Sequence, residues 1–182
     1  MKKILLIFLL LFFLGGCSAA HMVAVDKKPD FTSGNDATLV IVRDIFAGKA
    51  ITVWNYLDGK LIGETKGYTY FIANVSPGLH YVVSESENNT VVQMDFKAGK
   101  VYFLRQDIWM GWWRANAGYS VLNKEEALEA IKDCEYWEYD KSNPGEDMNQ
   151  SEYDQAIKDY HIDVKDKPEE YKPFLEYPGY SL

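Results

Sequence analysis

Two cysteines and three histidines are all that 182 residues offer for thiol, imidazole or metal chemistry. A disulfide scaffold is excluded by that count. His21, His80 and His161 fall in different regions, which is poor material for a metal site. The chain has no Gly-x-Ser-x-Gly elbow, phosphate-binding glycine loop, His-Glu-x-x-His or Cys-x-x-Cys. Basic charge is also scarce, with 19 Lys and Arg against 27 Asp and Glu, net -8. That balance disfavours nucleic acid and anionic membrane surfaces as partners, because both are bound through excess positive charge, and no nucleic-acid partner is expected. No catalytic residue, cofactor or metal ligand is expected. What is present is apolar: 47% hydrophobic and 15% aromatic, enough for one domain core and too much for a disordered chain.

The single long apolar run is residues 4–14, preceded by Lys2 and Lys3 and followed by Gly15, Gly16 and Cys17. Charged start, apolar middle and small-residue end read as an export signal. Eleven residues at about 1.5 Å each cannot span a hydrocarbon core of about 30 Å, so the expectation is cleavage rather than a permanent helix. Leu14-Gly15-Gly16-Cys17 resembles the bacterial lipobox. That resemblance implies lipidation (diacylglycerol and palmitate-type acyl chains) on Cys17, removal of 1–16 and attachment to a membrane of the cell envelope. Several acyl chains on one residue hold a protein far longer than one, at about 0.8 kcal/mol per buried methylene. Ser18 after the cysteine resembles lipoproteins of the outer membrane, facing the periplasm, in a cell with two membranes.

Residues 17–36 are small, polar and broken by Pro29 and Gly34, the pattern of a tether behind the lipid anchor. Residues 37–122 read as strands throughout. The β-branched run 37–43 is apolar on both faces and suits a central strand. Segments 51–57 and 60–64 flank Asp58-Gly59, which favours a tight hairpin, and 68–74 ends at the Ser76-Pro77-Gly78 turn. Strands at 79–85, 91–96, 101–107 and 112–122 follow, the last with Trp113, Ala115, Ala117, Tyr119 and Val121 on its inward face. The predicted fold is mainly β: an antiparallel β-sandwich of about seven strands, with one or two C-terminal helices and an extended C-terminal strap.

The order of Asp58-Gly59-Lys60, Ile62-Gly63, Tyr70-Phe71, Pro77-Gly78-Leu79-His80 and Ala98-Gly99-Lys100 with Val101-Tyr102 resembles a family of bacterial lipoproteins carrying a domain of unknown function. That domain is similar to the PEGA-type β-sandwich. The resemblance covers about residues 37–134, including the helix that follows the strands. It implies a fold and an envelope location, and brings no catalytic residues with it.

Asn123 and Glu126 form a capping-box pattern for that helix. Ala127, Leu128, Ile131 and Cys134 follow helical spacing, which places Cys134 on a buried stripe as a small hydrophobe. Residues 135–182 form a third region, an acidic extension holding seven of the 13 tyrosines and four of the six prolines. A second helix is expected from Ser151, as cap, to about His161, and repeated Tyr and Pro beyond it suggest the strap. Asp147-x-Asn149-x-Ser151 fails as a calcium loop, because Glu152 and Lys158 occupy its glycine and terminal acidic positions.

The candidate binding residues are Trp109, Trp112 and Arg114, in a tryptophan-rich stretch between two expected strands. Trp and Arg together bind sugar rings, peptides or partner surfaces by stacking and polar contacts. Burial of Trp109 and Trp112 under the C-terminal strap is the other reading, and alternation assigns Trp113 to the core. His80 reads as a side chain orienting its turn rather than a general base. The function expected is a non-enzymatic, lipid-anchored binding or scaffolding module that meets an envelope protein or glycan through the tryptophan loop or the acidic extension. The alternative is a carbohydrate-active or other hydrolase using sequence-distant carboxylates such as Asp44, Glu64, Asp95 and Asp107.

Overall fold

The computed structural model describes residues 21–182, apart from 28, 32, 33, 47, 112–114 and the side chain of Ala115. Cys17, Trp112 and Arg114, and the placement of Trp113, lie outside the described residues. The described chain contains ten strands: β1 Met22–Ala24, β2 Ala37–Arg43, β3 Val53–Leu57, β4 Lys60–Thr65, β5 Thr69–Val75, β6 Gly78–Glu85, β7 Asn89–Phe96, β8 Val101–Met110, β9 Ala115–Val121 and β10 Glu135–Tyr139. Three helices complete it: α1 Lys124–Lys132, α2 Gln150–Asp166 and α3 Pro168–Leu175.

The strands form a six-stranded sheet in the order β1-β10-β5-β2-β8-β9 and a four-stranded sheet in the order β4-β3-β6-β7. Their facing sides interdigitate around Leu39, Ile41, Phe71, Val82, Met94 and Phe96. This is the mainly β, two-sheet arrangement expected, with helices at the C-terminal end. Alternation turns Val40 and Val42 of β2 the other way, where Ala127, Ala130 and Ile131 of α1 cover them. That cover explains why β2 is apolar on both faces, since every residue of it is buried. On the other side, Met148, Ala156 and Tyr160 seal the outer face of the four-stranded sheet against Tyr56, Leu61, Val83 and Val91. The molecule is thus layered helix, sheet, sheet, helix.

Two strand pairs are parallel rather than antiparallel: β2 with β8, and β10 with β5. Between β2 and β8 the chain crosses to the four-stranded sheet and back, and α1 carries it from β9 to β10. Crossovers of this kind return a strand in the same direction. Strands β1 and β10 were not foreseen. β1 pairs antiparallel with β10 inside the segment expected to be a tether.

The second C-terminal helix is present as α2 and runs five residues further than expected. The first part of the strap expected beyond it is corrected to a third helix, α3, followed by a short tail. Ala156, Ile157, Tyr160 and Val164 lie at helical spacing and pack on the sheet. Pro168 stands in the first turn of α3, where the missing N–H costs nothing. Only the tail is extended: Tyr180 exchanges two backbone hydrogen bonds of 2.8 Å with Val101, and the Tyr177 hydroxyl donates to the Leu122 carbonyl at 2.6 Å. The α2 cap is Asn149 rather than Ser151, because the Asn149 side chain accepts from the Ser151 N–H at 2.9 Å. The capping box of Asn123 and Glu126 is present in full. Leu128, placed on the buried stripe by spacing, is instead exposed.

Candidate functional site

Trp109 lies near the end of β8, within the strand rather than in a loop, and is 49% exposed. It is not covered by the tail. Its ring crosses Gly118 of β9, where an added Cβ would come within 2.9 Å of the indole. Gly118 therefore makes room for the ring. Below it, the β6–β7 turn is bonded to the same strand: the Ala117 carbonyl accepts from Thr90 Oγ1 at 2.6 Å, and the Ala117 N–H donates to Asn88 Oδ1 at 3.2 Å. Those side chains also occupy an edge of β9 that would otherwise be open to strand pairing.

Trp109 and this turn form one wall of a groove of about 830 Å³ whose other wall is α2 with the start of α3. Five carboxylates line it, Glu85, Glu152, Asp159, Asp163 and Glu170, and its described lining contains no Lys or Arg. Tyr160 and Tyr171 supply aromatic surface, their rings 5.2 Å apart and edge-on. Burial pushes the Tyr171 hydroxyl above its ordinary pKa, and the charges of Asp163 and Glu170 push it further. The groove thus combines a half-exposed indole with a negative field, suited to ammonium or guanidinium groups.

Sequence reasoning named Trp109 but not the carboxylates facing it. Positions 152, 159 and 163 step by seven and four, so they share one face of α2. That spacing is the available signal. Trp112 and Arg114 are not among the described residues.

The other expected groups are dispersed. His80 Nδ1 lies 2.6 Å from Asp58 Oδ2, and its Nε2 lies 2.9 Å from the Ser76 carbonyl. Both ring nitrogens face acceptors, so the ring ties the Asp58-Gly59 turn to the Ser76-Pro77-Gly78 turn. Ser76 Oγ is also near, at 3.3 Å. A general base needs a ring nitrogen free to face its nucleophile, whereas both nitrogens of His80 are engaged, one with Asp58 and the other with the Ser76 carbonyl. Asp58 Oδ1 completes the lock by accepting the Tyr81 N–H at 2.9 Å.

Of the four carboxylates of the hydrolase reading, Asp44 and Asp107 flank Arg105, which binds Asp44 with Nε and Nη2 at 3.0 and 3.1 Å. Burial raises the pKa of Asp107, opposed by its bond to Ser120 and by Arg105. Glu64 is buried, with His21 Nε2 at 3.9 Å, and Asp95 pairs with Lys97 at the surface. None of the four lines the groove or any of three smaller clefts found among the described residues. Among the described residues no cluster of three or more His, Cys, Asp or Glu is placed to hold a metal, and no helix is long and apolar enough to cross a membrane.

Residues 33–119 match the family described as "Protein of unknown function (DUF2846)". An "Uncharacterized protein" of Haemophilus influenzae is 33% identical over 125 residues, which cover 65% of this chain and 74% of that relative. The chain belongs to this family. No solved structure matches it. The DUF2846 match spans β2 to β8 and most of β9, so the Trp109 wall of the groove lies inside it and the helical wall lies outside.

Proposed function

We propose that this DUF2846 protein is a non-enzymatic, lipid-anchored module of the cell envelope that binds a basic segment of a partner protein in the groove between Trp109 and α2. The observation that carries the reading is the groove itself: two features distant in sequence, the tryptophan-rich stretch and the acidic extension, become opposite walls of one cleft. A basic segment crossing it meets five carboxylates and sets a cation over Trp109, at roughly 0.5–2 kcal/mol for that contact. Electrostatic complementarity of this kind speeds association and selects against acidic partners.

The anchor rests on the Leu14-Gly15-Gly16-Cys17 resemblance, and the two-sheet sandwich fits the likeness to PEGA-type domains. Lipidation of Cys17, with Ser18 after it, implies an outer-membrane protein facing the periplasm in a cell with two membranes. Metabolic labelling with palmitate, lost in Cys17→Ala, tests the anchor.

The groove is tested by titrating the full chain with octa-lysine and octa-glutamate while following tryptophan fluorescence. Octa-lysine binding is expected to weaken steeply with salt, and to weaken at least tenfold in Trp109→Ala and in Asp159→Asn/Asp163→Asn. Equal affinity for the two peptides, or unchanged affinity in both variants, sinks the reading.

A further inference from the structure

A second cleft, of about 590 Å³, shares no lining residue with the groove. It opens between the turn joining β4 to β5, Lys49 of the preceding loop, and the start of β10. Its aromatic members are Tyr68 and Trp137, and its charged members are Lys49, Lys66, Asp133 and Glu135. Two cations and two carboxylates balance, so the lining selects neither an anion nor a cation. The Trp137 indole N–H donates to Glu135 at 2.7 Å, which fixes the ring's orientation, and Lys49 Nζ stands 5.8 Å from the centre of the Tyr68 ring.

This combination has a definite complement. A neutral saccharide carries hydroxyls that both donate and accept, which use lysines and carboxylates together, and C–H faces that lie against aromatic rings. A charged sugar would leave two of the four groups opposed to it. The volume is in the range of small-ligand sites.

The walls are held before any ligand arrives. Tyr68 has φ +62, a region that bulky side chains rarely enter. Two backbone bonds hold it there: its N–H donates to the Arg43 carbonyl at 2.7 Å, and its carbonyl accepts the Glu135 N–H at 2.9 Å. Gly67 beside it has no room for a Cβ, which would stand 2.8 Å from the Ile45 carbonyl oxygen and 2.9 Å from the Lys49 Cα. An aromatic residue kept where glycine or asparagine fits more easily is the mark of a position held for its side chain.

The geometry points to a saccharide site in this cleft: a neutral sugar stacks on Trp137 and Tyr68, and its hydroxyls bond to Lys49, Lys66, Asp133 and Glu135. This site is independent of the groove and of the anchor.

The test is saturation-transfer NMR on the full chain, in a detergent with no sugar headgroup, with cellobiose, lactose and N,N′-diacetylchitobiose, and with glucuronic acid and glucosamine as charged counterparts. At least one neutral disaccharide is expected to bind saturably and more tightly than either charged sugar. Trp137→Ala should weaken it at least tenfold, and Trp109→Ala should leave it unchanged. Tyr68→Asn, which suits the positive φ, should weaken binding at least fivefold while the melting temperature holds or rises. Should Trp137→Ala fail to fold, Tyr68→Asn decides. Absence of saturable binding by all three disaccharides, preference for a charged sugar, or undiminished affinity in Tyr68→Asn overturns the proposal.

Discussion

Raising the pH tests whether the tyrosines hold this protein together. Nine of the 13, among them Tyr102, Tyr119, Tyr160 and Tyr177, have hydroxyl pKa values raised by burial. Tyr160 is the clearest. It is 4% exposed, packed edge-on against Tyr81 and Tyr171, and pushed up to about 12. An unfolded tyrosine ionises near about 10. The fold therefore favours the protonated form, and this contribution is complete below about pH 10 and is lost as the pH climbs from there towards about 12. Two pKa units correspond to at most roughly 3 kcal/mol for Tyr160. Tyr136, also raised to about 12 but only partly buried, contributes less, because solvent screens it more.

Domains of this size are held by about 5–15 kcal/mol, so two such groups already remove a substantial part of it, and seven more are raised in the same direction. The assay follows tyrosinate absorbance near 295 nm together with near-ultraviolet circular dichroism from about pH 9 to 12.5. The buried tyrosines should ionise late and together, in step with loss of the tertiary signal. Smooth ionisation of all 13 near pH 10 with the tertiary signal intact would refute the reasoning.

Two further outcomes follow from buried groups. Arg43 is fully buried, donates to the carbonyls of Ile51, Thr65 and Gly48, and keeps its charge at neutral pH although burial lowers its pKa to about 10. Arg43→Met leaves these carbonyls without their donor and should cost about 2–4 kcal/mol in urea denaturation, whereas a cost below about 1 kcal/mol contradicts the bonding described. Cys134 donates its S–H to the Ala130 carbonyl, and burial, with Asp44 and Asp133 nearby, raises the thiol to about 12. Native protein at pH 8 should react with iodoacetamide at Cys134 at least roughly a hundredfold more slowly than urea-unfolded protein, and equal rates would show an accessible thiol.

The elements most legible in the sequence are those whose reasons are local. The apolar run of β2, the Asp58-Gly59 hairpin and the Asn123 capping box each carry their cause within a few residues. Asp58 and Gly59 take φ values of 50 and 82, as such a turn requires. The Pro77-Gly78-Leu79-His80 order suggests a side chain that orients a turn. Its partner, Asp58, stands 22 residues earlier and was visible only once β6 lay beside β3. Strands β1 and β10 leave little trace in the sequence because they are short, partly exposed and without a clean alternation, so that each exists through its neighbour. The turn residue Gly111, two positions behind Trp109, predicts a loop there. Pairing with β9 extends β8 to Met110, since the ladder bonds outweigh local preference.

The sequence by itself determined the mainly β character, the turns, the two C-terminal helical patterns and the uneven charge. Residues 37–122 carry eight basic and seven acidic side chains, while 123–182 carry seven and 17. Tertiary structure alone decided where that acidity points. Hydrophobic periodicity says that α2 has a face to bury, but not which sheet receives it. Once Ala156 and Tyr160 settle on the four-stranded sheet, Asp159 and Asp163 stand across from Trp109, a residue some fifty positions away in the chain. The groove and the Tyr68–Trp137 cleft both join segments that meet only through long-range packing, and no local pattern encodes such a meeting.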